Sequence, residues 1–184
     1  MMSEFKDKHK GENAYIIGSG KSLLKFTPDI IGEGIIITIN RAIEIINKFD
    51  FPNAIYAMCK DGPGPPWSGN VKCDIPCDKC PQYTAPKNGT ILVHKHESLN
   101  CFKDKKRIIF DNIELGLEIF DFSAMSAIRI VQEMGCEKLY MVSFDSITIM
   151  DWTGIDGKIG NYHEQEKRLK PLLGKMDRVW ITPK

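Results

Sequence analysis

The sequence lacks the long apolar runs that membrane insertion and secretion require. None of its hydrophobic stretches approaches the ~20 residues that span a bilayer. Residues 1–13 are polar and charged, so we expect no signal peptide there. These two absences favour a cytoplasmic protein without a transmembrane segment.

A surplus of one charge sign is also missing. The chain has 25 Lys and Arg against 24 Asp and Glu, which leaves a formal net charge of +1. Because nucleic-acid-binding proteins usually carry a basic surplus, we expect no nucleic-acid partner. The length of 184 residues suffices for one domain with a full core, and we expect a single domain over residues 1–184.

The most informative stretch, residues 14–23, lacks the glycines that two nucleotide-binding motifs require. It predicts a buried strand, a glycine turn and a helix, and the free amides at a helix N-terminus are a common phosphate site. A Walker A loop would need glycine where Tyr15 stands, and the dinucleotide fingerprint would need a third glycine at Leu23. The stretch therefore predicts a phosphate-bearing ligand and argues against an ATPase and an NAD enzyme.

Strand and helix patterns alternate along the chain, which predicts a Rossmann-like α/β fold with a doubly wound, mostly parallel sheet. Helices are predicted over 41–49, over 122–134 with Ser123 as its cap, and from about His163. Pro171 is expected to bend or end the third helix. Strands are predicted at 14–18, 34–39, 53–58, 91–94, 107–110, 138–144 and 178–182.

Ligands of doubly wound sheets bind outside the carboxyl ends of the strands. That edge is predicted to carry the glycine turn at 18–20, Asn40, residues 59–61, Asp111 and Asp145. Each polar residue also has a purely structural interpretation. Asn40 is a candidate helix cap, and Asp145 is a candidate cap or loop brace.

Residues 60–90 predict a long irregular insertion, rich in Pro, Gly and Cys, that contains a C-x₃-C-x₂-C cluster. Cysteines in a cytosolic protein are more often free thiols or metal ligands than disulfides. The spacing matches the iron–sulfur motif of radical SAM enzymes, but the preceding strands and Lys79 argue against that assignment. A structural zinc site and three unliganded thiols are the remaining alternatives. The cluster is Cys73, Cys77 and Cys80, and a fourth zinc ligand would come from Cys59, Cys101, His94 or His96.

Several collinear segments resemble one family. They are the glycine turn at 16–23, a strand end at 37–41, the stretch 122–145, and a histidine-containing segment at 160–164 that precedes a last helix and strand. Their order is similar to that of bacterial sialyltransferases of the Campylobacter lipooligosaccharide type and of related motility-associated glycosyltransferases.

The resemblance implies a CMP-sugar donor, a glycan acceptor and a transfer that needs no cofactor. His163 would be the general base for the acceptor hydroxyl, since a histidine titrates near neutral pH. Asn40 would bind the nucleotide, Ser123 the donor near its carboxylate or phosphate, and Tyr162 the departing phosphate. The remaining donor-site residues would be Gly18, Ser19, Gly20 and Asp145.

Two other functions stay open on the sequence. One is a non-catalytic nucleotide- or sugar-binding module whose cysteine loop holds zinc. The other is a radical SAM-type iron–sulfur enzyme.

Overall fold

A computed structural model describes residues 2–60, 84–96, 102–119, 121–145, 162–174 and 176–184; for residue 2 and residues 162–166 it describes the backbone alone. One seven-stranded sheet organises these residues, and every paired strand in it is parallel. Its strands are β1 Asn13–Ile17, β2 Ile35–Ile39, β3 Ala54–Cys59, β4 Thr90–His94, β5 Arg107–Phe110, β6 Lys138–Val142 and β7 Asp177–Ile181.

The strand order is β5-β4-β3-β2-β1-β6-β7, which confirms the predicted Rossmann-like α/β fold. From β1 the chain moves outward in one direction to β5 and then crosses back to place β6 on the other side of β1. The strand order therefore reverses between β1 and β6. Ligands of doubly wound sheets bind at such a reversal, at the carboxyl ends of the strands.

Helices cover both faces of the sheet: α1 Ala42–Ile46 on one face, α2 Ser123–Glu133 and α3 Tyr162–Leu173 on the other. Successive β1 side chains point to opposite faces. Ile16 joins the core beneath α2 and α3, whereas Ile17 joins the core beneath α1. The central strands are buried on both sides, which explains their uninterrupted apolar sequence.

Helices α2 and α3 run side by side in the same direction. The C-terminal end of α2 lies at the amino edge of the sheet, where the His9 amide donates to the Met134 carbonyl at 2.9 Å. The Gln132 side chain donates to the Leu172 carbonyl near the ends of both helices, at 2.8 Å. Farther back along α3, Arg168 pairs with Asp121, just before α2 begins. Both helices therefore begin at the carboxyl edge.

Two of the predicted helices differ from the structure. The helix predicted after the glycine turn is a 3-10 helix of five residues, Lys21–Lys25, because the chain becomes extended at Phe26 and Thr27 before Pro28. Helix α1 is shorter than predicted. Pro171 lies inside α3, which ends two residues later at Leu173. Among the described residues, no helix has the length and hydropathy needed to cross a membrane.

Candidate functional site

The glycine turn lies at the reversal point, and β6 already binds two of its amides. The Gly18 amide donates to the Val142 carbonyl at 2.8 Å, and the Gly20 amide donates to the Ser143 carbonyl at 2.9 Å. The first bond continues the β1–β6 ladder beyond the end of β1, and the second falls one residue short of that register, at the left-handed Ser143. The two glycine amides are therefore committed to the fold.

Both glycines are required by how closely β6 approaches. A Cβ at Gly18 would stand 2.7 Å from the Ser143 carbonyl oxygen, and a Cβ at Gly20 would stand 2.5 Å from the same atom. Neither distance leaves room for a methyl group. Gly20 also has an ordinary extended backbone, with φ −62° and ψ 159°, so space rather than backbone conformation selects glycine there.

Asp145 braces the beginning of the 3-10 helix. One carboxylate oxygen accepts the Ser22 amide at 3.0 Å, and the other accepts a hydrogen bond from the Ser22 hydroxyl. The carboxylate thus lies at the amide end of this short helix, where an external anion would otherwise bind. Of the two structural interpretations of Asp145, the structure matches the loop brace.

Two other amides of the turn, those of Ser19 and Lys21, are not used by the fold. Within the described part of the chain, neither donates to a hydrogen-bond acceptor. Ser19 stands between two residues whose amides point to β6. Because successive amides of an extended chain point to opposite sides, the Ser19 amide faces β2. The β1–β2 register pairs Ile17 with Thr38, which sets Ser19 level with Asn40 two residues later.

Asn40 adopts a left-handed conformation, with φ 53°. Asparagine is one of the few residues that tolerate it. The prediction that Asn40 caps a helix is wrong, since the N-cap of α1 is Arg41, which makes no side-chain capping bond. The Asn40 side chain is half-buried and has no hydrogen-bond partner among the described residues. It is therefore available to a ligand at the carboxyl edge.

Ser123 also differs from its predicted capping role. The N-cap of α2 is Phe122, which has no side-chain capping bond, and Ser123 is the first residue of the helix. The Phe122 side chain cannot accept hydrogen bonds, and the Phe122 carbonyl accepts only the Met125 and Ser126 amides, so the cap position leaves the Ser123 and Ala124 amides without an acceptor. Helix α2 packs against β1 and β2. Its uncapped beginning and Ser123 consequently lie over the carboxyl ends of those strands.

Tyr162 and His163 are the first two residues of α3. Because α3 runs alongside α2 and extends past Arg168 toward the carboxyl edge, the backbone of both residues lies at the same edge as Ser123. The residues predicted for the donor site are therefore gathered along one edge, around the β1–β6 reversal.

A second polar cluster lies at the ends of β4 and β5, around the buried Asp111. Its carboxylate accepts from Lys95 Nζ at 3.0 Å and from the Ile113 amide at 2.9 Å, with His96 Nε2 at 3.4 Å. Burial alone would raise the pKa of Asp111. The Lys95 and Ile113 hydrogen bonds and the nearby cationic side chains outweigh burial and hold that pKa below its ordinary value. Asp111 is thus already fully paired within the protein.

The cysteine cluster at 73, 77 and 80 lies outside the described residues, as does Cys101. Of the proposed fourth ligands, Cys59 is buried at the end of β3 and His94 is buried against the Phe110 ring, 5.2 Å away between centroids. His96 is exposed and its ring lies 5.6 Å from that of His94. Among the described residues, no group of three or more His, Cys, Asp or Glu is arranged to hold a metal.

Sequence reasoning missed Ser143 and Phe144, which the reversal brings against the glycine turn. Ser143 has a left-handed backbone, φ 57°, and its carbonyl receives the Gly20 amide. The Phe144 ring would stand 3.2 Å from a Cβ at Gly18. These contacts join residues more than 120 positions apart, and no local pattern in either segment signals them.

No protein-family model matches the chain, and neither does any curated protein sequence.

Proposed function

We propose that this protein is a glycosyltransferase of the sialyltransferase-like kind, which binds a CMP-sugar at the β1–β6 reversal and transfers the sugar to a glycan hydroxyl. The observation that carries the proposal is the set of unsatisfied polar groups at that edge. They are the Ser19 amide, the half-buried Asn40 side chain and the uncapped beginning of α2. Partly buried donors without a partner in the protein, together with the beginning of a helix, are suited to an anionic ligand.

The contacts around the turn refine how the nucleotide would bind. The Gly18 and Gly20 amides already have acceptors, and the Asp145 carboxylate would repel a phosphate at the 3-10 helix. The donor phosphate is therefore expected on the β2 side of the turn, near the Ser19 amide and the start of α2. Asn40 stands level with Ser19 on that side and would hydrogen-bond the nucleotide.

The chemistry of transfer would come from α3. A sugar hydroxyl is a weak nucleophile, and a histidine general base would remove its proton as the bond to the donor sugar forms. The nucleotide leaves with its phosphate, which Tyr162 and the free amides would stabilise. The assignment of His163 as base rests on the family resemblance and on the position of the α3 backbone at this edge.

A non-catalytic nucleotide-binding module is the second candidate. The observation that favours it is the Asp145 carboxylate, which occupies the amide end that a phosphate-binding turn usually leaves open. A module of this kind would bind the nucleotide through Asn40 and α2 but would not turn over a donor.

Calorimetric titration with CMP, compared with UMP and GMP, tests the binding site. Asn40→Gly is the decisive variant because glycine keeps the left-handed backbone and removes only the side chain. We expect it to fold with unchanged stability and to bind CMP about two- to tenfold more weakly, the worth of one hydrogen bond. No binding of any nucleotide at millimolar concentration would refute the proposal, and tighter UMP binding would refute the choice of CMP.

The same preparation decides between enzyme and module. With CMP-linked sialic acid, the enzyme releases CMP in the presence of a glycan acceptor, and His163→Ala loses this turnover while its CMP affinity is retained. Binding without turnover would support the module. Unchanged turnover in His163→Ala would exclude His163 as the base.

A further inference from the structure

An aromatic pair, Phe144 and Trp180, lies on the β6–β7 side of the glycine turn, and the proposed donor site does not use it. The two rings meet edge to face, with centroids 6.0 Å apart and an interplanar angle of 83°, which is a favourable arrangement for aromatic rings. Phe144 is itself held against the backbone of Gly18. The indole ring of Trp180 is therefore fixed from one side.

Trp180 is nevertheless 52% exposed. Two other large apolar residues in the described part of the chain are also exposed, Leu24 and Ile113, and single exposed residues of that kind are ordinary. Trp180 differs because it continues the Phe144 ring into a contiguous aromatic surface that reaches the reversal point. A half-exposed tryptophan that packs against a second ring offers an apolar ring face to a ligand.

The strand register places the aromatic surface of Phe144 and Trp180 on the face of the sheet that carries α3. Trp180 pairs with Met141, and Met141 pairs with Ile16, whose side chain lies in the core beneath α2 and α3. Trp180 is the penultimate residue of β7, so its ring lies near the carboxyl edge. Helix α3 begins at that same edge and on that same face.

The two sides of the turn thus offer different chemistry. The β2 side presents the free amide and the Asn40 side chain, which suit the anionic nucleotide. The β6–β7 side presents the aromatic carbon of Phe144 and Trp180, and the carboxylate of Asp145, the residue after Phe144, disfavours a phosphate at the turn. An uncharged ring with an apolar face is the ligand class that fits this side.

We infer that Trp180, positioned by Phe144, is the stacking surface for a pyranose ring of the glycan acceptor. The C–H groups on one face of a pyranose are weakly positive and are attracted to the negative face of an indole ring. The inference rests on the proposed function, since it names the acceptor subsite of that same site. It predicts an acceptor that ends in a neutral sugar whose C–H groups are gathered on one face.

Fluorescence tests the stacking without any nucleotide. A variant with Trp67→Phe and Trp152→Phe keeps Trp180 as its one tryptophan, since the chain has three. Methyl β-galactopyranoside, with an apolar ring face, is expected to shift or quench the Trp180 emission saturably at millimolar concentration. The linear polyol glucitol, which has no ring face, is expected to have no effect. An equal response to both compounds, or to neither, would overturn the inference.

Saturation-transfer NMR provides the same test on the otherwise natural chain and does not depend on how the double variant folds. Transfer to the galactoside ring C–H protons is expected to be strong, to be lost in Trp180→Ala and to persist in Trp180→Phe. Ile113→Ala is the matched control because it removes an exposed apolar side chain, 54% accessible, in the turn that follows β5. Equal transfer in Trp180→Ala and Ile113→Ala would show that Trp180 does not bind the sugar.

Turnover separates a stacking role from a structural one. Trp180→Ala should raise the acceptor KM about tenfold while the donor KM and kcat stay near their original values, and Trp180→Phe should recover most of the loss. An equal loss in donor and acceptor KM would contradict an acceptor subsite. If CMP fails to bind while the galactoside still shifts Trp180, the proposed function fails and the sugar subsite stands.

Discussion

At the scale of single residues, Gly20 joins two segments that are far apart in the chain. Its missing side chain lets the Ser143 carbonyl and the Asp145 carboxylate approach the turn. A methyl group at this position would contact both groups, and neither can withdraw without breaking the β6 ladder or the bonds to Ser22. The glycine that first suggested a phosphate site is required by packing.

Gly20→Ala is therefore expected to lower the free energy of unfolding by about 1–3 kcal/mol through overpacking. Urea denaturation measures the change. Gly174→Ala is the matched control, since a Cβ there would make only an ordinary contact, 3.4 Å from the Pro171 carbonyl oxygen. Equal stability of the two variants would mean that β6 does not press on the turn in solution.

At the scale of elements, an ion pair between the buried Asp121 carboxylate and the partly exposed Arg168 guanidinium joins α3 to the beginning of α2. The Asp121 side chain is 1% exposed and lies 2.5 Å from the Arg168 guanidinium. It also accepts the Glu118 amide at 2.8 Å. Because the contact joins the chain just before Ser123 to the helix that starts with Tyr162 and His163, it sets the spacing between the two halves of the proposed site.

Arg168→Gln should lower the free energy of unfolding by about 1–3 kcal/mol because it leaves a buried carboxylate without its partly exposed cation. Adding Asp121→Asn should restore part of this loss, since the uncompensated charge is then gone. Glu118→Gln is the control. Its carboxylate is 79% exposed and 3.4 Å from Arg168, so its loss should cost no more than about 1 kcal/mol. A double variant as unstable as Arg168→Gln would contradict this account.

At the scale of the whole molecule, the protection of backbone amides against hydrogen exchange should decrease from the centre of the sheet outward. Strand β2 is buried along its whole length, whereas β7 is an edge strand with three exposed residues of five. Central amides exchange only through global unfolding, and edge amides exchange through local opening.

Hydrogen exchange followed by mass spectrometry should therefore find peptides of β1 and β2 the slowest and those of β7 the fastest among the strands. The measurement is best made at two protein concentrations. Protection of β7 equal to that of β2 would contradict a free edge. If that protection increased with concentration, a second copy of the chain would be covering the strand.

Several features followed from the sequence alone because their causes are local. Uninterrupted apolar segments such as residues 35–39 indicate strands buried on both faces, and alternation with helical patterns indicates a parallel sheet. The polar residues that follow each strand, among them Asn40 and Asp145, were expected at one edge because parallel strands end together. Each of these conclusions needs only the neighbouring residues and the topology that they imply.

The contents of the site depended on tertiary structure. Neither the sequence of the turn nor that of the β6 segment shows that the Gly18 and Gly20 amides donate to carbonyls at the end of β6. Nor does either sequence show that Asp145 binds Ser22 or that Trp180 packs against Phe144. The sequence by itself determined a parallel sheet with a glycine turn at its functional edge. Only the pairing of β1 with β6 decided which amides of that turn are left for a ligand, because the unsatisfied groups depend on which segments meet across the strand reversal.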